Sequence, residues 1–279
     1  MITSRRNAKI KHVRALRQRK QRAASGRFLV EGIRHVGDAV QAGADIQAIY
    51  YAPELLVSPF AEKLIAETSA QGVACYAVTA EVFDSLAEKE NPQGILAVVR
   101  QPQRALSELS PQNFPWGVAL VEPQDPGNLG TILRTINAAG ASGLILLGDS
   151  VDAYHPTAVR ASMGSLFWHP VVNAEFGEFV DWANRSGYHV YGTSAAAGRD
   201  YREVAVYRRP LILLMGSERQ GLTEAQAAVC EELVRLPMRG EVTSLNLAVA
   251  TGILLYAVLD SPATPSNPGA AGRAGHWGN

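Results

Sequence analysis

Cysteine is scarce in this chain. Two in 279 residues, Cys75 and Cys230, form neither a CxxC pair nor a disulfide framework. They read as reduced, packed thiols, which points to a cytoplasmic setting. No stretch approaches the roughly 20 apolar residues of a membrane span, and the charged N-terminus lacks the apolar core of an export signal. Neither membrane insertion nor export is expected. The first 27 residues contain no Asp or Glu at all. Also missing are the GxGxxG and Walker A glycine patterns, which removes the main support for a nucleotide-dependent oxidoreductase on a Rossmann-like sheet.

What the chain does contain is enough apolar material, 47% of its residues, to bury a substantial core. Its formal net charge of zero conceals a strong asymmetry. Residues 1–27 carry ten cations (Arg5, Arg6, Lys9, Lys11, Arg14, Arg17, Arg19, Lys20, Arg22 and Arg27), so the remainder is net acidic by ten. A segment this basic suits a polyanion, and nucleic acid is the usual one inside a cell. The plainer alternative is a solvated, partly helical terminus. Ile10, Val13 and Leu16 at helical spacing, followed by Phe28-Leu29-Val30, favour an ordered basic surface.

Hydrophobic periodicity divides the chain in two. Residues 28–100 alternate helical and strand patterns: helices over 32–42 and 60–71, strands over 46–51, 74–78 and 95–100. With the basic leader, residues 1–100 make a small α/β unit. Residues 101–115, with three prolines, read as a linker. From 116 to 260 the strands are continuous apolar runs (118–121, 144–147, 189–192, 211–215), as in parallel strands covered on both faces. Helical segments separate them, which predicts a parallel α/β sheet. Residues 261–279, rich in Pro, Gly, Ala and Ser, are expected to be disordered.

Three loops in the second unit hold polar and glycine residues of interest. The first, residues 122–130, leads from a strand into a helix that Asp125 or Asn128 can cap. Leu129, Ile132, Leu133 and Ile136 give that helix a buried stripe, while Gly127, Gly130, Thr131 and Arg134 lie opposite. One cation over small residues near a helix N-terminus suits a phosphate or a ribose, although a surface arginine with packing glycines fits the spacing equally well. The second loop, from Gly216 through Glu218 to Leu222, follows an apolar strand; ligands sit beyond such strand ends, but a glycine turn is the simpler reading. Glu218 could contact a partner group or cap a helix. The third loop follows a strand predicted over 234–238 and enters an apolar helix at Ser244-Leu245-Asn246. Thr243 or Ser244 can cap that helix. Asn246, in its first turn, needs a partner if buried.

Together, Asn128, Gly130 and Arg134, then Gly216, Glu218, Gly221 and Leu222, then Leu236-Pro237-Met238 with Ser244-Leu245-Asn246 resemble the three signature motifs of the SpoU (TrmH-like) RNA 2′-O-methyltransferases of the SPOUT superfamily. Each motif is weak alone; three in order are specific. The run from Arg160 to Phe167 adds similarity, and Phe28-Leu29-Val30-Glu31-Gly32 resembles the opening of the small RNA-binding domain found in rRNA-modifying members. The resemblance covers residues 1 to about 258.

It implies a parallel sheet whose C-terminal part forms a deep trefoil knot, S-adenosylmethionine as cofactor, and a homodimer with the active site at the subunit interface. It places the cofactor's adenine and ribose near the backbone of Gly216, Leu236 and Leu245, with Thr193, Met238 and Ser244 lining the same pocket. Arg134 would act on the 2′-hydroxyl. A free guanidinium has a pKa above about 12, so stabilising an alkoxide asks less of it than acting as a base. Asn128, Asn246 and Ser244 would serve the ribose side and Glu218 the loop. No metal is required, since the sulfonium is itself the electrophile. The substrate expected is RNA, with rRNA favoured over tRNA because the basic leader and α/β unit exceed the short extensions of tRNA-directed members. A ribosome-assembly factor that no longer transfers methyl groups is the competing reading, and the presence of both Arg134 and Asn246 argues against it.

Overall fold

The computed structural model describes residues 1–88 and 91–262, so residues 263–279 of the tail expected to be disordered lie outside the described residues. The N-terminal part runs α1 (Ala8–Ala15), α2 (Arg19–Ser25), β1 (Arg27–Glu31), α3 (Ile33–Gln41), β2 (Ile46–Tyr51), α4 (Pro59–Ala70), β3 (Ala74–Ala77), α5 (Ala80–Asp84) and β4 (Ile95–Arg100). Its four strands form a mixed sheet in the order β1-β4-β2-β3, parallel only between β2 and β3. Ile10, Val13 and Leu16, each at most 1% exposed, bury α1 against one face of this sheet beside Val82 and Phe83 of α5. The helical spacing in the basic leader is thus the spacing of a packed helix.

The C-terminal part continues with β5 (Trp116–Val121), α6 (Pro126–Ala139), β6 (Leu144–Leu147), α7 (Pro156–Ala161), β7 (Val171–Ala174), α8 (Phe176–Arg185), β8 (His189–Thr193), β9 (Arg199–Asp200), β10 (Leu211–Met215), α9 (Glu224–Ala227), β11 (Glu232–Arg235) and α10 (Leu247–Asp260). Seven strands pair in parallel in the order β7-β6-β5-β10-β8-β11-β9. Successive side chains of a strand point to opposite faces. Accordingly Val118, Leu120, Leu211 and Leu213 join a core with α6 and α10, while Ala119, Val121, Ile212 and Leu214 join another with Phe179 and Trp182 of α8. Burial on both faces explains why these strands read as unbroken apolar runs.

The third predicted strand end differs from the structure. β11 stops at Arg235, which pairs with Asp200 of the two-residue edge strand β9, and Leu236-Pro237-Met238 leave the sheet. Pro237 has no N–H to contribute to a ladder. Residues 101–115 carry only a short 3-10 turn, Leu106–Glu108. They lie packed against the second unit: Trp182 Nε1 donates to the Leu109 carbonyl at 3.0 Å and Tyr188 Oη to that of Phe114 at 2.7 Å. Among the described residues no helix is long and apolar enough to cross a membrane.

The two parts share a core. Phe28 of β1 packs on Tyr154, ring centroids 4.7 Å apart, and on Phe167 at 6.3 Å. Beside them Arg22 of α2, 1% exposed, donates from Nε to Asp152 at 2.6 Å and from Nη1 to the carbonyls of Leu16 and Arg17. A buried ion pair recovers its desolvation cost only when its hydrogen bonds are satisfied, and breaking one partner strands the other charge. Arg22→Ala should therefore cost roughly 3 kcal/mol of unfolding free energy, read as a lowered urea midpoint. A midpoint unchanged from the parent would show the pair to be dispensable for docking the two parts.

Candidate active site

The neighbouring strands β10, β8 and β11 end at the same edge of the sheet, and their carboxyl ends open into a cleft of about 1270 Å³. Thr193 follows from β8, Met215 and Gly216 from β10, and Leu236 from β11. Two loops close the sides: residues 216–222 after β10, and residues 236–247 between β11 and α10. In an open parallel sheet this is where ligands bind, because the strand ends leave a crevice between loops that diverge.

The loop after β10 requires its glycine. Ser217 and Gly221 exchange two backbone hydrogen bonds, at 3.2 and 3.0 Å, folding the loop into a tight turn with Gly221 at φ +69°. A Cβ on Gly216 would stand 2.1 Å from the Gly221 carbonyl carbon. The turn leaves Glu218 exposed, where both carboxylate oxygens accept from the Gln124 backbone N–H at 3.4 Å. Gln124 in turn donates from Nε2 to the carbonyls of Glu122 and Asp149, both at 3.0 Å. Glu122, at the end of β5, holds φ +46°, a left-handed conformation that a non-glycine residue adopts at a cost. Three loops are thereby tied at one rim of the cleft.

Helix α6 starts from that rim. Asp125 caps it by accepting from the Asn128 N–H at 2.6 Å, with Pro126 in its first turn. The predicted stripe opposite its buried face is divided. Gly130 is buried, and a Cβ there would lie 2.5 Å from the Ala158 carbonyl oxygen and 2.6 Å from Ala161 Cβ, so this glycine serves helix packing against α7. Thr131 and Arg134 are exposed.

The cap of α10 also differs from expectation. Asn246, not Thr243 or Ser244, is the N-cap: its Oδ1 accepts from Ala248 N–H at 2.8 Å and Val249 N–H at 3.3 Å. The residues from Thr243 to Leu245 lie outside the helix and line the cleft, and Asn246 is exposed rather than buried in a first turn. Its Nδ2 donates to Asn128 Oδ1 at 2.9 Å. One amide therefore fixes the start of α10 and joins it to α6, 118 positions away in the chain.

Gly216, Thr193, Leu236, Met238, Ser244 and Leu245, the residues expected at a cofactor, all line the cleft. Asn128, Glu218 and Asn246 line it too, and with Gln124 and Asp125 they also line a shallower recess of about 400 Å³ beside it. Arg134 does not line the cleft; six residues along α6 from Asn128, it stands on the helix about 9 Å further on. The cleft also contains residues the sequence did not single out. Asp200 sits in its wall, and two hydrogen bonds from Arg202, at 2.9 and 2.7 Å, hold its carboxyl down to about 2. Arg219, Arg235 and Arg239 add cations to the wall. Asp200 falls outside any motif, Arg219 and Arg239 lie within the second and third loops without being singled out, and only strand order brings 200, 219 and 235 together.

Comparison with known proteins identifies the family. Residues 115–256 match the model of the SpoU rRNA Methylase family, and residues 7–97 match the MRM3-like substrate binding domain. A 23S rRNA uridine 2′-O-methyltransferase of Streptomyces viridochromogenes is 35% identical over 91% of this chain and 90% of its own. A 23S rRNA guanosine 2′-O-methyltransferase of Bacillus subtilis is 32% identical over 91% of this chain and 97% of its own. Among solved structures, the AdoMet-bound rRNA methyltransferase from Sinorhizobium meliloti superposes with a TM-score of 0.85 at 38% identity, covering 92% of this chain and 96% of that one. With a family match over half of its length and relatives of this identity along nearly all of it, the chain belongs to the SpoU rRNA methylase family.

Proposed function

We propose that this protein transfers a methyl group from S-adenosylmethionine to a ribose 2′-hydroxyl of 23S ribosomal RNA. The observation that carries the reading is the joining of Asn128 and Asn246 at the mouth of a cleft built from the ends of β8, β10 and β11. That places a polar recess, with room for a ribose, directly beside a cavity large enough for a nucleoside cofactor.

The residues in the cleft fit the cofactor. Met215, Val234, Leu236, Leu247 and Ala250 offer an apolar wall for a purine, and the Thr193 and Ser244 hydroxyls offer polar contacts for a ribose. Among the described residues, the backbone from Met238 to Leu245 makes no hydrogen bond with the rest of the protein, so its N–H and C=O groups are free to read the edges of a ligand. When bound, S-adenosylmethionine supplies an electrophilic methyl group on a sulfonium.

The protein's share of the chemistry is alignment and charge. Holding the 2′-oxygen in line at near-attack distance removes much of the entropic barrier. Asn128 and Asn246, each fixed by the other and by a helix start, position the ribose; Glu218 fixes the loop that carries Gly216 against the loop that leads into α6 and Asn128. Arg134 supplies the cation that stabilises the oxygen as its proton passes to solvent water.

Arg134 stands outside its own cleft, and this favours a dimer in which it serves the partner's site. α10 supports the same view, since Val249, Tyr256 and Leu259 recur at helical spacing and are 51%, 46% and 45% exposed, an apolar stripe suited to a second copy. We also assign the C-terminal stretch to a trefoil knot. Supporting it, the chain passes from β10 across β8 to β11, then returns through residues 236–246 to pack α10 against α6.

Three outcomes are expected. Arg134→Ala loses methyl incorporation into a 23S rRNA transcript by at least a hundredfold in kcat while calorimetry shows cofactor affinity retained; normal turnover removes Arg134 from the chemistry. Co-expression of Arg134→Ala with Gly216→Ala, each inactive alone, restores part of the activity, because a mixed dimer holds one intact site; no recovery argues for a site within one chain. Asn246→Ala lowers stability by about 1 kcal/mol as a helix cap is lost. Asn246→Ser restores that stability but not kcat, since a serine cannot reach Asn128 as the amide does; full recovery of kcat would reduce Asn246 to a cap.

A further inference from the structure

Of the ten cations in the N-terminal leader, the fold occupies at least half. Arg22 is buried against Asp152. Arg14 and Arg17 donate to Ser85 Oγ and to the Ala87 carbonyl, Arg5 pairs with Glu81, and Lys9 lies 4.5 Å over the ring of Tyr76. A leader that reads as one continuous basic tract is therefore partly structural: Arg14, Arg17 and Arg22 are drawn into packing, while Arg5 and Lys9 make exposed contacts at the surface.

Arg19 and Lys20, at the start of α2, differ from the rest in where they stand. Arg19 Nη2 donates to the Ser150 carbonyl at 3.1 Å and lies 3.7 Å from Asp149 Oδ1, with both side chains mainly exposed. Asp149 is the residue whose carbonyl accepts from Gln124 Nε2, and Gln124 is bonded through its backbone to Glu218 and lines the recess with Asn128 and Asn246. Two hydrogen-bonded steps thus connect α2 to the mouth of the candidate active site. Arg22, three residues further along the same helix, anchors it rigidly against the second part of the protein.

The intervening surface is acidic. Asp125, Asp149 and Glu218 are all exposed along the rim. An RNA strand with its ribose in the recess must carry its phosphates past these carboxylates, and repulsion there has to be offset by nearby cations. Arg19 partly neutralises Asp149, an exposed pair of small intrinsic worth that a phosphate can displace. Lys20 is exposed and forms no ion pair among the described residues.

We propose that the RNA strand flanking the methylated nucleotide runs from the recess over the Asp149-Ser150 turn and is held there by phosphate contacts to Arg19 and Lys20. The strand would bridge both parts of the protein, with Asp149 competing against RNA for Arg19. Neither residue reads a base, so the interaction supplies affinity and direction, and sequence choice is made elsewhere. The inference rests on the site acting on RNA, as argued above.

The test uses the full-length protein, a 23S rRNA transcript, and binding titrations at several KCl concentrations. Lys20→Gln with Arg19→Gln should weaken binding by about tenfold and lower the slope of log K against log salt by about 0.7 to 0.9 for each phosphate that is no longer neutralised. Cofactor affinity by calorimetry should stay at the parent value. Asp149→Asn should bind RNA several-fold tighter, because it frees Arg19 without removing a cation. Neutralising Arg6 and Lys11 near α1 should change affinity less than the Arg19 and Lys20 pair. Parent affinity and slope in the double variant, a larger loss from Arg6 and Lys11, or weaker binding by Asp149→Asn would each overturn the path. Failure of the unaltered protein to bind or methylate the transcript would instead remove the functional reading beneath it, and that result is seen without any variant.

Discussion

The pairing of β10 between β5 and β8 is the constraint on which the remaining structure depends. Leu211–Met215 is buried on both faces, and its parallel registers with Trp116–Val121 and His189–Thr193 bring the carboxyl ends of these strands to one edge. Parallel pairing makes every exit loop leave on the same side. The loops that carry Glu122, Thr193, Gly216 and Leu236 therefore converge without any having to seek the others. The strand-end residues of the cleft thus inherit their positions from the ladder and not from contacts of their own side chains.

A second layer of ties sharpens that convergence. Glu218 to Gln124, Gln124 to Asp149, and Asn246 to Asn128 are all exposed hydrogen bonds between separate loops. None contributes much to stability in water, where a typical bond is worth about 1 kcal/mol net. Their effect is geometric: they hold the starts of α6 and α10 together at the cleft mouth. The strained backbone at Glu122 belongs to the same arrangement, since it turns the chain out of β5 toward Asp125. The buried Arg22–Asp152 pair adds the N-terminal part to this frame as a fixed neighbour.

Much of this was legible beforehand because it is written in periodicity. Continuous apolar runs gave the parallel strands, helical spacing gave α6 and α10, and three ordered motifs gave the family. Legibility ended where geometry depends on distant partners. The strand predicted to reach Met238 stops at Arg235 because β9, itself invisible in two residues, ends there and Pro237 cannot donate. Asn246 proved to be the cap because residues 243–245 remain outside the helix along the cleft, a choice no local propensity for Thr or Ser discloses. Gly130, placed by spacing beside Arg134 on an open face, is buried because α7 approaches α6 at that turn.

By itself, then, the sequence determined the class of fold, the family, and the residue types available for chemistry, since hydrophobic period and motif order are properties of neighbours along the chain. Only the tertiary structure decided which of those residues meet. It put Asn128 against Asn246, left Arg134 outside its own cleft, added Asp200 to the wall, and drew Arg14, Arg17 and Arg22 of the basic leader into packing. The physical reason is the same in each case: strand order and helix docking are set by burying apolar surface across long separations, and polar side chains are carried to wherever that burial leaves them.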